Sequence, residues 1–400
     1  MKQFFSSTLI VALLMIGISE RSTACSSAII IGKATPDGRP LMWKQMDGPS
    51  TITHRITYVK GAKYAYIGVA RSCKDKNSTI WAGTNSAGFC IMNTSSPNLE
   101  EKGGNGNPGI VMRKALESCA TIEDFEELLN NMKKPMGLHT NFGVIDANGG
   151  AAYYETGNYS YTKYDANDPE VAPNNYLIRT NYSFSGRTDE GGGYIRYDNA
   201  KYLFENHPTQ KFTPEWIFSS VARYYYHSLL NVDLHHELPN YAIDLDYIPR
   251  LTSKGSFVFQ GVKKGERAEH TTMWIVFGFP PVGIVVPSWV AGGEHLPEVV
   301  TKVDHNERTP LWNKVLTLQH KIFPIKRGNG EKYMHFSLLY NAKGDGIIQK
   351  LQPIEKEIFT ETYKKIDEWN TKSWDAKKIQ EYYKYLNDKI VKAYKDLFDL

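Results

Sequence analysis

Between residues 25 and 185 apolar and polar positions alternate in short runs, and Gly, Asn or Pro punctuates them at close intervals. The run SSAIIIGKAT is followed by Pro36-Asp37-Gly38 and then by RPLMWKQMD. That is the pattern of a hairpin, with Gly38 free to take φ > 0 in the turn. Further strands are expected in ITYVKGAKYAYIGVA, STIWAGTNSAGFCIMNTSS, HTNFGVIDANGGAAYYETG and NNYLIRTNYSF, and again in GSFVFQGV, HTTMWIVFG and VGIVVPSW. The period turns helical in GIVMRKALESCATIEDFEELLNNM, where Thr121 with Asp124 opens a second helix. Helices are also predicted over YIRYDNAKYLFENH, over TPEWIFSSVARYYYHSLL and from about Ile354 to the C-terminus. In the last of these Ile379, Tyr383, Leu386, Ile390 and Leu397 share one face. Lys alternates there with Asp and Glu, which reads as a solvated outer face rather than a membrane-surface helix. Runs of strands without strict βαβ alternation predict an α+β fold of antiparallel sheets with helices on their outer faces.

The N-terminus has a different pattern. Lys2 supplies a positive charge, Leu9 to Ile18 an apolar run broken only by Gly17, and Ser22-Thr23-Ala24 a small-residue cleavage site. These predict a signal peptide over residues 1–24. The run is about half of the ~20 residues needed to span a bilayer, and no later segment reaches that length without charges. The expected product is an exported protein, periplasmic or extracellular, with residues 25–400 forming one domain and a helical extension from about residue 354. Cleavage after Ala24 would make Cys25 the first residue, so that a thiol and an α-amine share one residue. The competing reading is a lipid-anchored surface binding protein acylated at Cys25, although lipidation signals favour Leu where this chain has Ser22.

Composition narrows the classes. Apolar residues make up 41% of the 400, enough for a sizeable core. A net charge of +4, with lysines spread among acids, leaves no nucleic-acid footprint. With Cys25 set aside for chemistry, Cys73, Cys90 and Cys119 could form at most one disulfide, and the lack of a CxxC pair leaves no zinc or redox motif. His235-His236-Glu237 invites a metal reading, but adjacent residues point apart, and neither HExxH nor GxSxG occurs. No metal and no cofactor is expected.

A first-residue cysteine can pass its thiol proton to its own amine, whose reference pKa lies near 8. Such a site still needs an anchor for the amine, a cation to favour the thiolate and donors for a tetrahedral oxyanion. CSSAIIIGKATPDGRPLMWKQMD, GTNSAGFCIMNTSS, TNFGVIDANGGAAYYETG, YLIRTNYSFSG with GGGYIRYDNA and, more loosely, HTTMWIVFGFPPVGIVVPSW supply these parts in order. In them the chain resembles the N-terminal-nucleophile cysteine hydrolases of linear amides. These include choloylglycine hydrolases, penicillin V acylases and acyl-coenzyme A:6-aminopenicillanic acid acyltransferases.

The resemblance implies a four-layer αββα sandwich and hydrolysis of an amide with an apolar acyl group, or acyl transfer to a second amine. Cys25 matches the nucleophile and Asp47 the aspartate that holds the α-amine. Asn93 and Asn181 match residues that contribute oxyanion donors, and Arg196 matches an arginine beside the nucleophile. Lys44 stands where relatives usually carry arginine, which leaves it between a substrate contact and a solvent-facing strand position. Gln45 replaces a frequent asparagine. Tyr182 and Arg179 flank Asn181 and are candidates for the pocket lining. The alternative for Arg196 is a surface ion pair with Asp198 or Glu190. Bile-salt conjugates, penicillin V, N-acyl amino acids and acyl-homoserine lactones all remain open as substrates, and so does a homo-oligomer.

Overall fold

A computed structural model describes residues 24–73, 79–99, 106–329 and 331–400. Apart from Ala24, the predicted signal peptide lies outside the described residues. β1 (Cys25–Ile30) and β2 (Leu41–Asp47) form the expected hairpin, with Gly38 at φ 76°. β3 (His54–Lys60), β4 (Ala65–Arg71), β5 (Ile80–Asn85) and β6 (Cys90–Ser95) follow. With β7 (Thr140–Ile145), β8 (Ala151–Thr156) and β9 (Tyr161–Asp165) they make a seven-stranded antiparallel meander in chain order. β10 (Tyr176–Arg179) returns to the edge of β1, while β11 (Tyr226–His227) and β12 (Val232–Asp233) form a separate small hairpin. β13 (Ser253–Gln260), β14 (Thr272–Phe277) and β15 (Val286–Ser288) complete a six-stranded antiparallel sheet in the order β10-β1-β2-β13-β14-β15.

Side-chain alternation sets the layers. On β1, Ser27 Oγ accepts a hydrogen bond from Tyr153 of β8 at 2.9 Å, so Cys25, Ser27 and Ile29 face the seven-stranded sheet. Ser26, Ala28 and Ile30 face the other way. The outer face of the meander is covered by α1 (Pro108–Ser118) and α2 (Ile122–Asn130). Val111, Leu116, Phe125 and Leu129 of these helices pack against Phe89, Phe142 and Tyr154. The predicted capping box forms, with Thr121 accepting from the Asp124 N–H and the Asp124 carboxylate accepting in return.

Behind the six-stranded sheet lie α3 (Tyr194–Glu205), α4 (Pro214–Ile217), α5 (Leu234–Glu237), α6 (Glu298–Thr301), α7 (Pro310–Ile322), α8 (Phe336–Leu339), α9 (Ile347–Thr371) and α10 (Ala376–Phe398). The last two carry the C-terminal extension into the core: Trp274 meets Phe359 at 4.7 Å, and Tyr394 donates to the Val282 carbonyl at 2.7 Å. Burial of each such aromatic stabilises by about 2–3 kcal/mol. Helices, two sheets and helices thus form four layers, an α+β architecture.

Three segments depart from expectation. TPEWIFSSVARYYYHSLL is not one helix: α4 gives way to a π-turn over Phe218–Ala222, and the tyrosines then enter β11. Gln45 Nε2 draws the Ala222 carbonyl away at 3.3 Å, and Arg223 turns inward to Glu355, which ends the repeat. α9 begins at Ile347, well before Ile354, and runs through Pro353, which reads locally as a breaker. β9 had no alternation strong enough to be seen. All four cysteines are free thiols. His235 stacks on Tyr224 at 4.2 Å, whereas its neighbour His236 stands 83% exposed.

The extension is pinned by a buried ion pair. Arg223 Nη1 and Nη2 meet Glu355 at 2.5 and 2.8 Å, and the same carboxylate accepts from the Val285 N–H at 2.9 Å. Removing one partner leaves a buried charge alone, which typically costs about 3–5 kcal/mol. Glu355→Ala should therefore lower unfolding stability by about that much in urea titration, and Glu355→Leu with Arg223→Met should recover a large part of the loss.

Candidate active site

Cys25 opens β1 at the end of the hairpin and is 5% exposed. In the chain with Ala24 attached, its nitrogen is a peptide N–H with one proton. That proton goes to Asn181 Oδ1 at 2.7 Å. Arg196, buried on α3, donates from Nη2 to the same oxygen at 2.7 Å and from Nη1 to the Cys25 carbonyl at 2.6 Å and Ser26 Oγ at 2.9 Å. One guanidinium thereby ties together the two residues that β10 and β1 bring to the same end of the sheet. Its pKa is held down to about 10, first by burial and then by Arg250, so it stays charged at neutral pH.

The approach of Arg196 depends on the three glycines before it. Gly193 caps α3 at φ 79°, and a Cβ there would strike the Arg196 guanidinium. Gly192 pairs with Asn181 through both backbone groups, N–H to O at 3.1 and 2.8 Å.

This arrangement also orients Asn181. Its backbone N–H is taken by Gly192, its Nδ2 donates to Ser95 O at 2.9 Å, and its oxygen faces the Cys25 nitrogen. Two donors converge on that oxygen, which fixes the amide orientation. Through Oδ1, Asn181 thus accepts from the Cys25 nitrogen, while one proton of its Nδ2 goes to Ser95.

Cys25 lies opposite Met46, so Asp47 projects from the other face of the sheet. There its carboxylate accepts from Ser253 Oγ at 2.6 Å and pairs with Arg250, while its N–H donates to the Ala24 carbonyl at 2.9 Å.

Lys44 is neither solvent-facing nor paired with a carboxylate. It is fully buried on the face that carries Cys25, and its ammonium donates to Trp81 O at 2.7 Å and Asn93 Oδ1 at 3.1 Å. Asn93 is held in turn by Nδ2 donation to Thr140 Oγ1 at 3.1 Å. Burial lowers the Lys44 pKa, and the Cys25 thiolate pulls it back up. Burial likewise pushes the Cys25 thiol up, with Lys44 the strongest influence in the opposite direction. The two groups are electrostatically coupled, each favouring the charged form of the other.

Arg196 makes no surface pair with Asp198 or Glu190; Glu190 pairs with Arg187. Tyr182 packs its ring among Tyr194, Phe184 and Tyr197 at 4.5 to 5.7 Å. Arg179 is buried against Glu155 at 2.8 Å, and that carboxylate also accepts from the N–H groups of Phe184 and Ser185. Both therefore shape the segment carrying Asn181. Arg250, Ser253, Thr140 and Trp81 were not anticipated. They meet the site only through strand register, and Arg250 and Asp47 stand 203 positions apart in the chain.

Two facing antiparallel sheets, covering helices and a cysteine at the head of the first strand define the class. It is the arrangement expected from the chain's resemblance to the N-terminal-nucleophile hydrolases of linear amides. Residues 34–223 match the model of the acyl-coenzyme A:6-aminopenicillanic acid acyl-transferase family, a span that takes in Lys44, Asp47, Asn93, Asn181 and Arg196 and begins after Cys25.

Among solved structures, the chain is similar to a Caenorhabditis elegans N-acylethanolamine-hydrolyzing acid amidase ortholog, with 14% identity, 59% of this chain and 92% of that chain covered, and a TM-score of 0.39. It is also similar to a mutant conjugated bile acid hydrolase from Clostridium perfringens, at 11% identity, 66% and 92% coverage and a TM-score of 0.39. Penicillin V acylase from Agrobacterium tumefaciens gives 13%, 66% and 85%, and 0.37. No curated protein matches the chain.

Because Lys44 favours the thiolate, Lys44→Met should move the pH midpoint of Cys25 alkylation by iodoacetamide upward and slow the reaction at neutral pH. Lys44→Arg should keep the charge and most of the rate. An unmoved midpoint in Lys44→Met would show that the cation does not act on the sulfur.

Proposed function

We propose that the protein is an exported amidohydrolase in which cleavage after Ala24 makes Cys25 the first residue and frees its α-amine. The observation that supports this most is the 2.7 Å contact from the Cys25 nitrogen to Asn181, itself braced by Arg196. An amine held there keeps its lone pair beside the sulfur of the same residue. It takes the thiol proton, and the thiolate attacks the carbonyl carbon of a linear amide that carries an apolar acyl group.

The oxygen that becomes negative receives donors from the Lys44 ammonium and from the second proton on Asn93 Nδ2, both aligned before the reaction by their contacts with Trp81, Thr140 and each other. The protonated amine then passes its proton to the leaving nitrogen. The C–N bond breaks, and an acyl thioester remains on Cys25. Water, deprotonated by the same amine, opens the thioester and releases the acid. Asp47, neutralised by Arg250 and Ser253, stands behind the amine as the nearest carboxylate on β2.

The matched family is one of acyl transfer, in which a second amine takes the acyl group in place of water. Export favours water, since coenzyme A is absent outside the cell. Incubation of one amide with and without a competing amine, followed by product analysis, separates the two.

The purified exported protein should begin at an unmodified Cys25 by N-terminal sequencing and intact mass. With a panel of N-acyl amides, mass spectrometry should detect an acyl adduct on Cys25. Cys25→Ala should abolish turnover by roughly a thousandfold or more with the fold intact. A diacylglyceryl adduct on Cys25, or retained activity in Cys25→Ala, would contradict the reading.

A further inference from the structure

The ladder between β1 and β10 stops just short of the nucleophile. Ile31 donates to the Asn175 carbonyl at 3.0 Å, and the register then sets Ile29 opposite Leu177 and Ser27 opposite Arg179. Every second pair of an antiparallel ladder exchanges main-chain hydrogen bonds, so the next such pair would bring the Asn181 carbonyl to the Cys25 N–H. That pair does not form. The Asn181 carbonyl accepts from Gly192, and the side-chain oxygen of Asn181 takes the Cys25 nitrogen in its place. Beyond Arg179 the chain has left β1.

The seven-stranded sheet holds it away. Asn141 of β7 donates from Nδ2 to the Tyr182 carbonyl at 3.0 Å and to Thr94 Oγ1 at 3.1 Å, while its oxygen accepts from Ser183 Oγ. Asn98, in the turn after β6, donates to the carbonyls of Ser183 and Arg187 at 2.8 and 3.1 Å and accepts from the Ser183 N–H at 2.9 Å. Glu155 of β8 takes the next two N–H groups, those of Phe184 and Ser185. A carbonyl can only accept, so these partners fix the orientation of both amides.

Asn141 acts nearest the nucleophile. It grips the residue directly after Asn181, and its own neighbour Thr140 holds Asn93. By strand alternation it shares a face with Met92 and Tyr153, which belong to the same apolar core as Cys25. An amide is costly to bury there unless it is fully paired. Asn141 is fully buried, and both of its protons and its oxygen are used.

We propose that Asn141 is a positioning residue, which holds the chain after β10 off β1 so that the Asn181 amide meets the Cys25 nitrogen in place of a main-chain carbonyl. Only a side-chain oxygen free of the ladder can be braced by Arg196 at the same time. The proposal rests on the hydrolytic reading only for its effect on turnover.

The test uses the form that retains Ala24, where the Cys25 peptide N–H is itself the reporter. Deuterium exchange of the Cys25 and Cys90 amides is followed by NMR in protein carrying nitrogen-15 cysteine. Asn141→Leu removes all three contacts. Asn141→Asp keeps the shape and the acceptor for Ser183 but sets an acceptor against the Tyr182 carbonyl. In both, Cys25 should exchange about tenfold faster or more, the scale of one buried group left unpaired. Cys90, at the other end of β6 from Thr94, should change by about twofold at most. Should either variant fail to fold, Ser183→Ala removes one contact and should still speed Cys25 selectively. Unchanged exchange at Cys25, or equal acceleration of Cys25 and Cys90, overturns the proposal. In the cysteine-first form, the same variants should lower kcat for a hydrolysed amide by about tenfold with KM within about twofold. Faster exchange with unchanged kcat contradicts the hydrolytic use of the Asn181 contact and leaves the positioning standing. Absence of turnover in the unsubstituted protein counts against the hydrolase reading alone.

Discussion

Everything at the site is arranged around Arg196. Its guanidinium is buried and hydrogen-bonded to the Cys25 carbonyl, Ser26 and Asn181. Three separate elements, β1, the segment after β10 and α3, meet at that one charge. Both terminal nitrogens of this buried guanidinium are hydrogen-bonded, which fixes its position, while its buried Nε has no partner among the described residues. The nitrogen of Cys25 inherits that rigidity through Asn181. Burial raises both Cys25 and Cys90, the latter to about 12, but only Cys25 has Lys44 and Arg196 acting against the rise.

The second organising feature is charge. Lys44 lies between the two sheets on the face of Cys25, while on the opposite face Asp47 is neutralised by Arg250. A buried ammonium between two apolar sheets is costly, and in the proposed reading Lys44 meets that cost by stabilising negative charge on sulfur and on a carbonyl oxygen. The helical extension supports this only indirectly. Through Glu355 and Arg223 it closes the outer face of the sheet and leaves the end where Cys25 lies to the β10 segment and α3.

Much of the fold was legible because alternation and turn chemistry are local. Pro36-Asp37-Gly38, the Thr121 capping box and the strand runs each carry their signal within a few residues. The tyrosine-rich stretch after Trp216 was misread because Gln45 and Glu355, far away in the chain, override its helical period. At the site, residue identities could be read from motifs, but their directions could not. That the Asn181 oxygen turns toward the Cys25 nitrogen is decided by the arrival of Arg196 beside it, which no local motif shows. The face of Asp47 follows from its register with Cys25, and the depth of Lys44 from the packing of one sheet on the other. Arg250 and Ser253 carry no local signature, because what brings them to Asp47 is the fold.

The decisive measurement compares two forms of the protein, one beginning at Cys25 and one retaining a single uncleavable residue in front of it. The cysteine-first form should alkylate faster at neutral pH, because its amine takes the thiol proton. If the amine of Cys25 is the base, only the cysteine-first form hydrolyses amides, and the blocked form is inert. Equal hydrolysis by the two forms would contradict the role given to that nitrogen.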